Sequence, residues 1–255
     1  VSLLVVDVGN TNTVLGLFEG KTLSADWRIA TRPEATADEI GIFLRGLAGT
    51  ERAEIDRAVV ATVVPSLHFP WKSALRRYFR VDALFVEPGV KTGLPILYDS
   101  PQEVGADRIV NAVAAVERYG APCVIVDFGT ATTFDVVNAA GEYAGGVIVP
   151  GVAVSAEALF AHAARLSRVE IRRPPTVIGR NTAGSIQSGL FYGYLSLVDG
   201  LIDRLAREMG TRPCVIATGG LAELLGRASE RIEHVDPNLT LEGLRLLDER
   251  NASRR

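Results

Sequence analysis

The chain has 255 residues, of which 47% are hydrophobic and 22% charged, with a formal net charge of -3. That length can bury a substantial core in one large domain or two smaller ones, and the composition excludes a disordered chain. The slight negative charge argues against nucleic acid or an acidic membrane surface as a partner, and no apolar run nears the roughly 20 residues of a membrane span.

Residues 3–7 read as a buried strand that ends on Asp7. "GNTN" follows as a tight turn, and residues 12–18 and 22–29 read as two further strands. Thr36 then starts a helix. Thr36 and Glu39 have capping-box spacing, and Ile40, Phe43, Leu44 and Leu47 recur every three or four residues on one apolar face. "RAVVATVV" is a buried strand stopped by Pro65, "LHFPWKSALRRYF" is mostly helix, and "ALFVE" is a strand. Residues 101–119 read as one helix, capped by Ser100, with Pro101 in its first turn and Glu103 at the reciprocal position.

The second half opens with three strands again, 123–127, 130–137 and 142–149. Helical segments follow from about Ala153, then a long helix near 183–209, the strand "CVIAT", a helix after "GG", and a last helix near 240–250. The tail "DERNASRR" is polar and its last residues are expected to fray. Cys123 and Cys214 open apolar runs and read as small buried hydrophobes. His68, His162 and His234 are scattered without metal-ligand spacing. The N-terminus reaches Asp7 before a signal-like segment could form, so the expected location is cytoplasmic.

"VIVDFGTATTFDVV" at 124–137 repeats the order of "LLVVDVGNTNTVLGLF" at 3–18: apolar run, Asp, one apolar residue, Gly, small polar residues, apolar run. The repeat divides the chain into halves 1–119 and 120–255. Each half is an α/β unit with a mixed sheet and helices on its faces, and two such units leave a cleft between them.

A P-loop would carry Lys and run into a helix; here a strand resumes at once. Turn amides can still converge on an anion, and Gly9 lets that anion come close. Asn10, Thr11, Asn12 and Thr13 add amide and hydroxyl donors. A bound polyphosphate brings Mg²⁺, which favours one or two carboxylates plus water, and that gives Asp7 a purpose. The bland reading of one such turn is a plain Asn-Gly hairpin. Two copies, each after a strand-ending Asp, favour the phosphate reading.

Paired turns of this kind resemble the actin, hexokinase and Hsp70 ATPase superfamily. Within it, "DVGNTNTVLGLF", "GADR", "DFGTATTFDVV", "GGVIVPG" and "GRNTAGSIQSGLFYG" together resemble the type III pantothenate kinase family, in that family's order and over nearly the whole chain. The resemblance implies two duplicated actin-like (ribonuclease H-like) domains with the active site in the cleft. It implies phosphorylation of the primary hydroxyl of pantothenate by ATP, the first committed step to coenzyme A. It assigns ATP contacts to Asp7, Val8, Gly9, Asn10, Thr11, Asn12, Thr13, Val14 and Thr130, with Asp7 also holding the Mg²⁺ that accompanies ATP.

By the same resemblance Asp107 is the general base. Tyr98, Gly105, Ala106, Arg108 and Thr182 join it around pantothenate. Asp127 holds a monovalent cation, K⁺ or NH₄⁺, and the protein is a homodimer with the helix near 183–209 a candidate for part of its interface. Each residue also has a plainer reading. Asp107 would favour the positive end of a helix, Arg108 would be solvated, Tyr98 would pack on the fold, and Thr182 would cap the long helix. "ATGGLA", 217–222, resembles the superfamily's adenosine loop or is only a strand-to-helix turn. The competing functions are a catalytically silent relative acting as a regulatory or binding protein, and another small-molecule kinase or a phosphatase on the same scaffold.

Overall fold

A computed structural model describes residues 2–51, 54–163, 166 and 168–252. The last residues of the tail, 253–255, expected to fray, lie outside the described residues. The chain divides into two compact units. One takes residues up to Leu94, Asp99–Ala114 and the chain from Leu239 on; the other takes Pro95–Tyr98 and Ala115–Asn238.

In the first unit, β1 (Ser2–Val8), β2 (Asn12–Glu19) and β3 (Thr22–Ala30) form an antiparallel meander. β4 (Arg57–Thr62) and the short β5 (Leu84–Phe85) then add in parallel, giving the order β3-β2-β1-β4-β5. The central strand is apolar until Asp7: Leu3, Leu4, Val5 and Val6 are each at most 2% exposed. One face of the sheet, with Leu4, Val6, Val8, Leu15 and Val60, packs against α1 (Ala37–Glu51) and α2 (Pro65–Phe79) through Ile40, Leu44, Leu67, Trp71 and Leu75. The expected capping box forms. The Thr36 amide and hydroxyl donate to Glu39 Oε2, each at 2.8 Å, and the Glu39 amide donates to Thr36 Oγ1 at 3.3 Å. Pro65 opens α2, where its missing N–H costs nothing.

In the second unit, β6 (Cys123–Phe128), β7 (Ala131–Val137) and β8 (Tyr143–Pro150) repeat the meander. β9 (Cys214–Gly219) and β10 (His234–Val235) repeat the parallel additions, in the order β10-β9-β6-β7-β8. The matching strand orders bear out the duplication. Around this sheet lie α4 (Val152–His162), α5 (Thr182–Ser188), α6 (Tyr194–Met209) and α7 (Ala222–Leu225), numbered after α3 (Ala106–Tyr119).

Four expectations are corrected. Residues 101–119 are not one helix: Pro101–Glu103 is a single 3-10 turn, Val104 is extended, and α3 begins afresh at Ala106. Ser100 makes no side-chain cap. The long helix near 183–209 is two helices joined by a π-helical turn, Gly189–Gly193. Thr182 does not cap it; Asn181 does, its Oδ1 accepting from the Gly184 amide at 2.7 Å.

The apolar stripe of these helices lies against the second unit's core, with Ile186 and Leu190 buried and Tyr194, Leu197, Leu201 and Leu205 partly buried.

Chain order alone puts the final helix, α8 (Leu239–Asn251), in the second half, but it packs in the first unit. Leu241 lies within contact reach of Gly16 on the sheet face opposite α1 and α2, and Gly243 meets the Val110 backbone so closely that a Cβ would overlap it. Arg57 Nη1 pairs with the buried Asp248 at 2.5 Å, and Asn251 exchanges two hydrogen bonds with Lys91. Val5 and Gly16 are register partners, so Asp7, two residues on, lies on the face that carries α8. Both cysteines open neighbouring strands in register. Burial, then the proximity of Cys214, pushes the Cys123 thiol up to about 12, so it behaves as a hydrophobe.

Candidate active site

The first turn spans Gly9, Asn10 and Thr11. The Gly9 amide donates to the Asn12 carbonyl at 3.1 Å, and a Cβ on Gly9 would stand 2.9 Å from that oxygen, so the turn closes only on glycine. Thr31, at the end of β3, props it. The Thr31 hydroxyl donates to the Gly9 carbonyl at 2.7 Å and meets the Thr13 hydroxyl at 2.9 Å, while its amide donates to the Thr11 carbonyl at 2.9 Å. In a trans peptide N–H and C=O point in opposite directions. The amides of Asn10 and Asn12 therefore point away from Thr31.

Asn10, Thr11 and Asn12 are exposed, Asp7, Gly9 and Val14 half-buried, and Val8 and Thr13 buried. The exposed donors stand at the turn, while Thr13 turns its hydroxyl inward as a buttress. Sequence reasoning missed Thr31, because no local pattern connects it to a turn some twenty residues earlier. Asp7 lies between Val14 on β2 and Ala61 on β4. A single carboxylate beside a donor-rich turn fits Mg²⁺ that arrives with phosphate and keeps several waters.

The second turn is one residue shorter. Gly129 and Thr130 connect the strands, with the Gly129 amide donating to the Ala131 carbonyl at 3.1 Å. Its prop is Gly151, whose amide donates to the Thr130 carbonyl at 3.0 Å. A Cβ on Gly151 would overlap the carbonyls of Gly129 and Thr130. Asp127 lies between Thr133 on β7 and Thr218 on β9, both side chains on its own face of the sheet. Gly219 (φ +91°) passes so close that a Cβ there would overlap Asp127 Oδ1. The first glycine of "ATGG" thus clears a cradle beside the carboxylate. An anionic oxygen, flanking hydroxyls and open backbone form a donor set that fits a weakly hydrated monovalent cation.

Asp107 and Arg108 occupy the first turn of α3. Gly105 is the residue on which the helix starts: its carbonyl accepts from the amides of Arg108 at 3.1 Å and Ile109 at 3.2 Å. Asp107 Oδ1 folds back to accept from the Arg108 amide at 2.8 Å. A Cβ on Gly105 would stand 2.5 Å from that oxygen, so glycine here clears the space the carboxylate occupies. Burial raises the Asp107 pKa above the usual carboxylate range, against the lowering pull of the Arg108 amide and guanidinium. Ala106 is half-buried and Arg108 is 7% exposed, so the reading of Arg108 as a solvated helix residue is excluded.

Tyr98 belongs to the second unit. It is half-buried, its ring 6.4 Å from that of Tyr143 and beside Gly145. Thr182 is exposed at the start of α5. Gly179 lies so close to the Gly184 and Ser185 backbone that a Cβ would overlap it, which folds the preceding loop against the helix start.

Two mixed sheets of identical strand order, each with an aspartate near the end of its central strand before a tight polar turn, define the actin- and hexokinase-like fold. Solved structures agree on the fold. A Baf family protein of Campylobacter jejuni aligns over 98% of this chain and 99% of its own, with TM-score 0.63 and 20% identity. A ROK hexokinase of Thermus thermophilus aligns over the whole of both chains, with TM-score 0.51 and 12% identity. The family model for type III pantothenate kinases matches residues 3–204. The type III pantothenate kinase of Anaeromyxobacter sp. (strain Fw109-5) is 57% identical over 98% of this chain and 99% of its own, and that of Myxococcus xanthus 55% over 98% of each. The chain belongs to the type III pantothenate kinase family. It is a kinase, a phosphotransferase. Among the described residues, no helix is long and apolar enough to cross a membrane.

Proposed function

We propose that this protein transfers the γ-phosphoryl group of ATP to the primary hydroxyl of pantothenate, yielding 4'-phosphopantothenate, the first step of coenzyme A biosynthesis. Full-length likeness to enzymes bearing that name supports the substrate, and the half-buried, pKa-raised carboxylate of Asp107 carries the chemistry. Phosphoryl transfer needs positioning and charge neutralisation more than covalent participation. In this reading Asp107 orients the hydroxyl and takes its proton, and its raised pKa makes it a stronger base than an ordinary carboxylate. Arg108 holds the anionic substrate, and Gly105, Ala106, Tyr98 and Thr182 are further contacts to it.

The turn from Asp7 to Val14 binds phosphate through amides and hydroxyls, Thr130 adds a contact to ATP, and Asp7 holds Mg²⁺. Asp127 holds K⁺ or NH₄⁺. The two cations supply the positive charge that a P-loop draws from lysine. The protein works in the cytoplasm as a homodimer. The test is a coupled ADP-release assay with ATP, Mg²⁺ and K⁺, offering pantothenate against a panel of small alcohols. Release specific to pantothenate is expected. Release with another alcohol would give the site to another substrate, and release with none would leave a silent relative.

A further inference from the structure

Asp135, on β7, takes no part in either phosphate turn, yet its side chain is fully buried. Burying a carboxylate is costly unless something holds it. Tyr143, the first residue of β8 and also fully buried, donates its phenol to Asp135 Oδ1 at 2.7 Å. The Thr133 hydroxyl donates to Oδ2 at 3.3 Å.

The other end of Tyr143 is equally engaged. Its amide donates to the Pro95 carbonyl at 2.8 Å, and its carbonyl accepts from the Leu97 amide at 2.8 Å. A single residue, fixed at the tip of its ring by a buried acid, therefore stitches the segment 95–97 to the edge of the second sheet. Tyr98 follows directly. Its ring lies 6.4 Å from the Tyr143 ring at 53°. Beside it is Gly145, whose φ of +119° excludes most side chains and whose Cβ position would sit 3.7 Å from the Tyr98 ring. An apolar pair at 135 and 143 could fill the same space, and such replacements are often no less stable. What the Asp-Tyr pair adds is one defined ring position.

We infer that Asp135 and Tyr143 are positioning residues that set Tyr98 for the acceptor substrate. The inference rests on the reading of Tyr98 as a pantothenate contact. Steady-state kinetics on Tyr143→Phe, Asp135→Asn, Tyr98→Ala and the Tyr98→Ala/Tyr143→Phe double variant test it. Tyr143→Phe should raise the pantothenate KM roughly tenfold, the scale of one lost hydrogen bond, with kcat and the ATP KM little changed. Asp135→Asn keeps an acceptor for the phenol and should fall between wild type and Tyr143→Phe. The double variant should be no worse than Tyr98→Ala alone.

A raised KM in Tyr98→Ala beside an unchanged KM in Tyr143→Phe would overturn the inference and leave the Tyr98 reading standing. An unchanged KM in Tyr98→Ala would remove that reading and the inference with it. Additive losses in the double variant, or equal rises in both substrates' KM, would mean that Tyr143 acts elsewhere or only supports the fold.

Discussion

At the end of β1, Asp7 stands between Val14 and Ala61; at the end of β6, Asp127 stands between Thr133 and Thr218. The turns beyond them differ as well. The first is three residues long and propped by a threonine side chain, the second two residues long and clamped by the backbone of Gly151. Duplicated hairpins have thus diverged in the feature that decides which ion a carboxylate suits. The register partners of Asp7, Val14 and Ala61, are aliphatic, which agrees with a divalent ion that finds other ligands in water and phosphate. Hydroxyl flanks and a cleared glycine give Asp127 a ready-made oxygen environment. The proposed division of labour, Mg²⁺ at Asp7 and a monovalent cation at Asp127, agrees with that difference.

The largest effect should come from the third acid, which belongs to neither hairpin. Asp107→Asn should cut kcat by roughly 10²–10⁴-fold while leaving both cation dependences in place; a shift in either would break the comparison. The acid limb of the wild-type kcat/KM profile should lie above the ordinary carboxylate range, because burial raises this group. A carboxyl raised on folding stabilises most below its unfolded pKa and loses that contribution as pH rises through the folded one. At neutral pH the melting temperature of Asp107→Asn should therefore hold or rise, and a calorimetric fall would contradict the assigned burial.

Asp7→Asn comes next. It should lower kcat by roughly 10²–10³-fold, the scale of one preorganised electrostatic partner, and raise the Mg²⁺ requirement without moving the K⁺ response. Gly219→Ala should show the opposite selectivity, because its Cβ overlaps Asp127 Oδ1. K⁺ half-saturation should rise about tenfold, within the range seen when outer-shell partners of metal ligands are lost, with Mg²⁺ half-saturation unchanged. The smallest effect is expected from Thr31→Val, which removes the hydroxyl prop of the first turn. The ATP KM should rise a few-fold and stability fall by about 1 kcal/mol, readable in a denaturant titration, with the K⁺ response untouched.

Much of this was legible in the amino-acid order because the signals are local. Strand-ending aspartates, glycine turns and the Thr36–Glu39 box lie within a few residues of their partners. The failures have equally physical causes. Ser100 and Glu103 have capping-box spacing, but the chain uses that stretch for one 3-10 turn and restarts the helix on Gly105, where the Asp107 carboxylate needs room. Across the π-helical turn the buried face moves on by one residue, from Ile186 and Leu190 to Phe191, Val198 and Ile202, a shift that helical periodicity does not announce. Asn181 and Thr182 are adjacent and both suited to cap, and only geometry chooses between them. Thr31, Gly151 and Gly219 act across strands, and the pairing of 95–97 with Tyr143 joins segments more than forty residues apart, so no window of sequence contains these contacts.

The division of labour between the two acids is tested most directly by titrating K⁺ against turnover at saturating ATP, Mg²⁺ and pantothenate, for wild type and Asp127→Asn. Wild type should be activated by K⁺ and not by Na⁺, and Asp127→Asn should show one low rate in either ion with its Mg²⁺ response intact. A K⁺ activation curve in Asp127→Asn that overlays wild type would contradict the assignment.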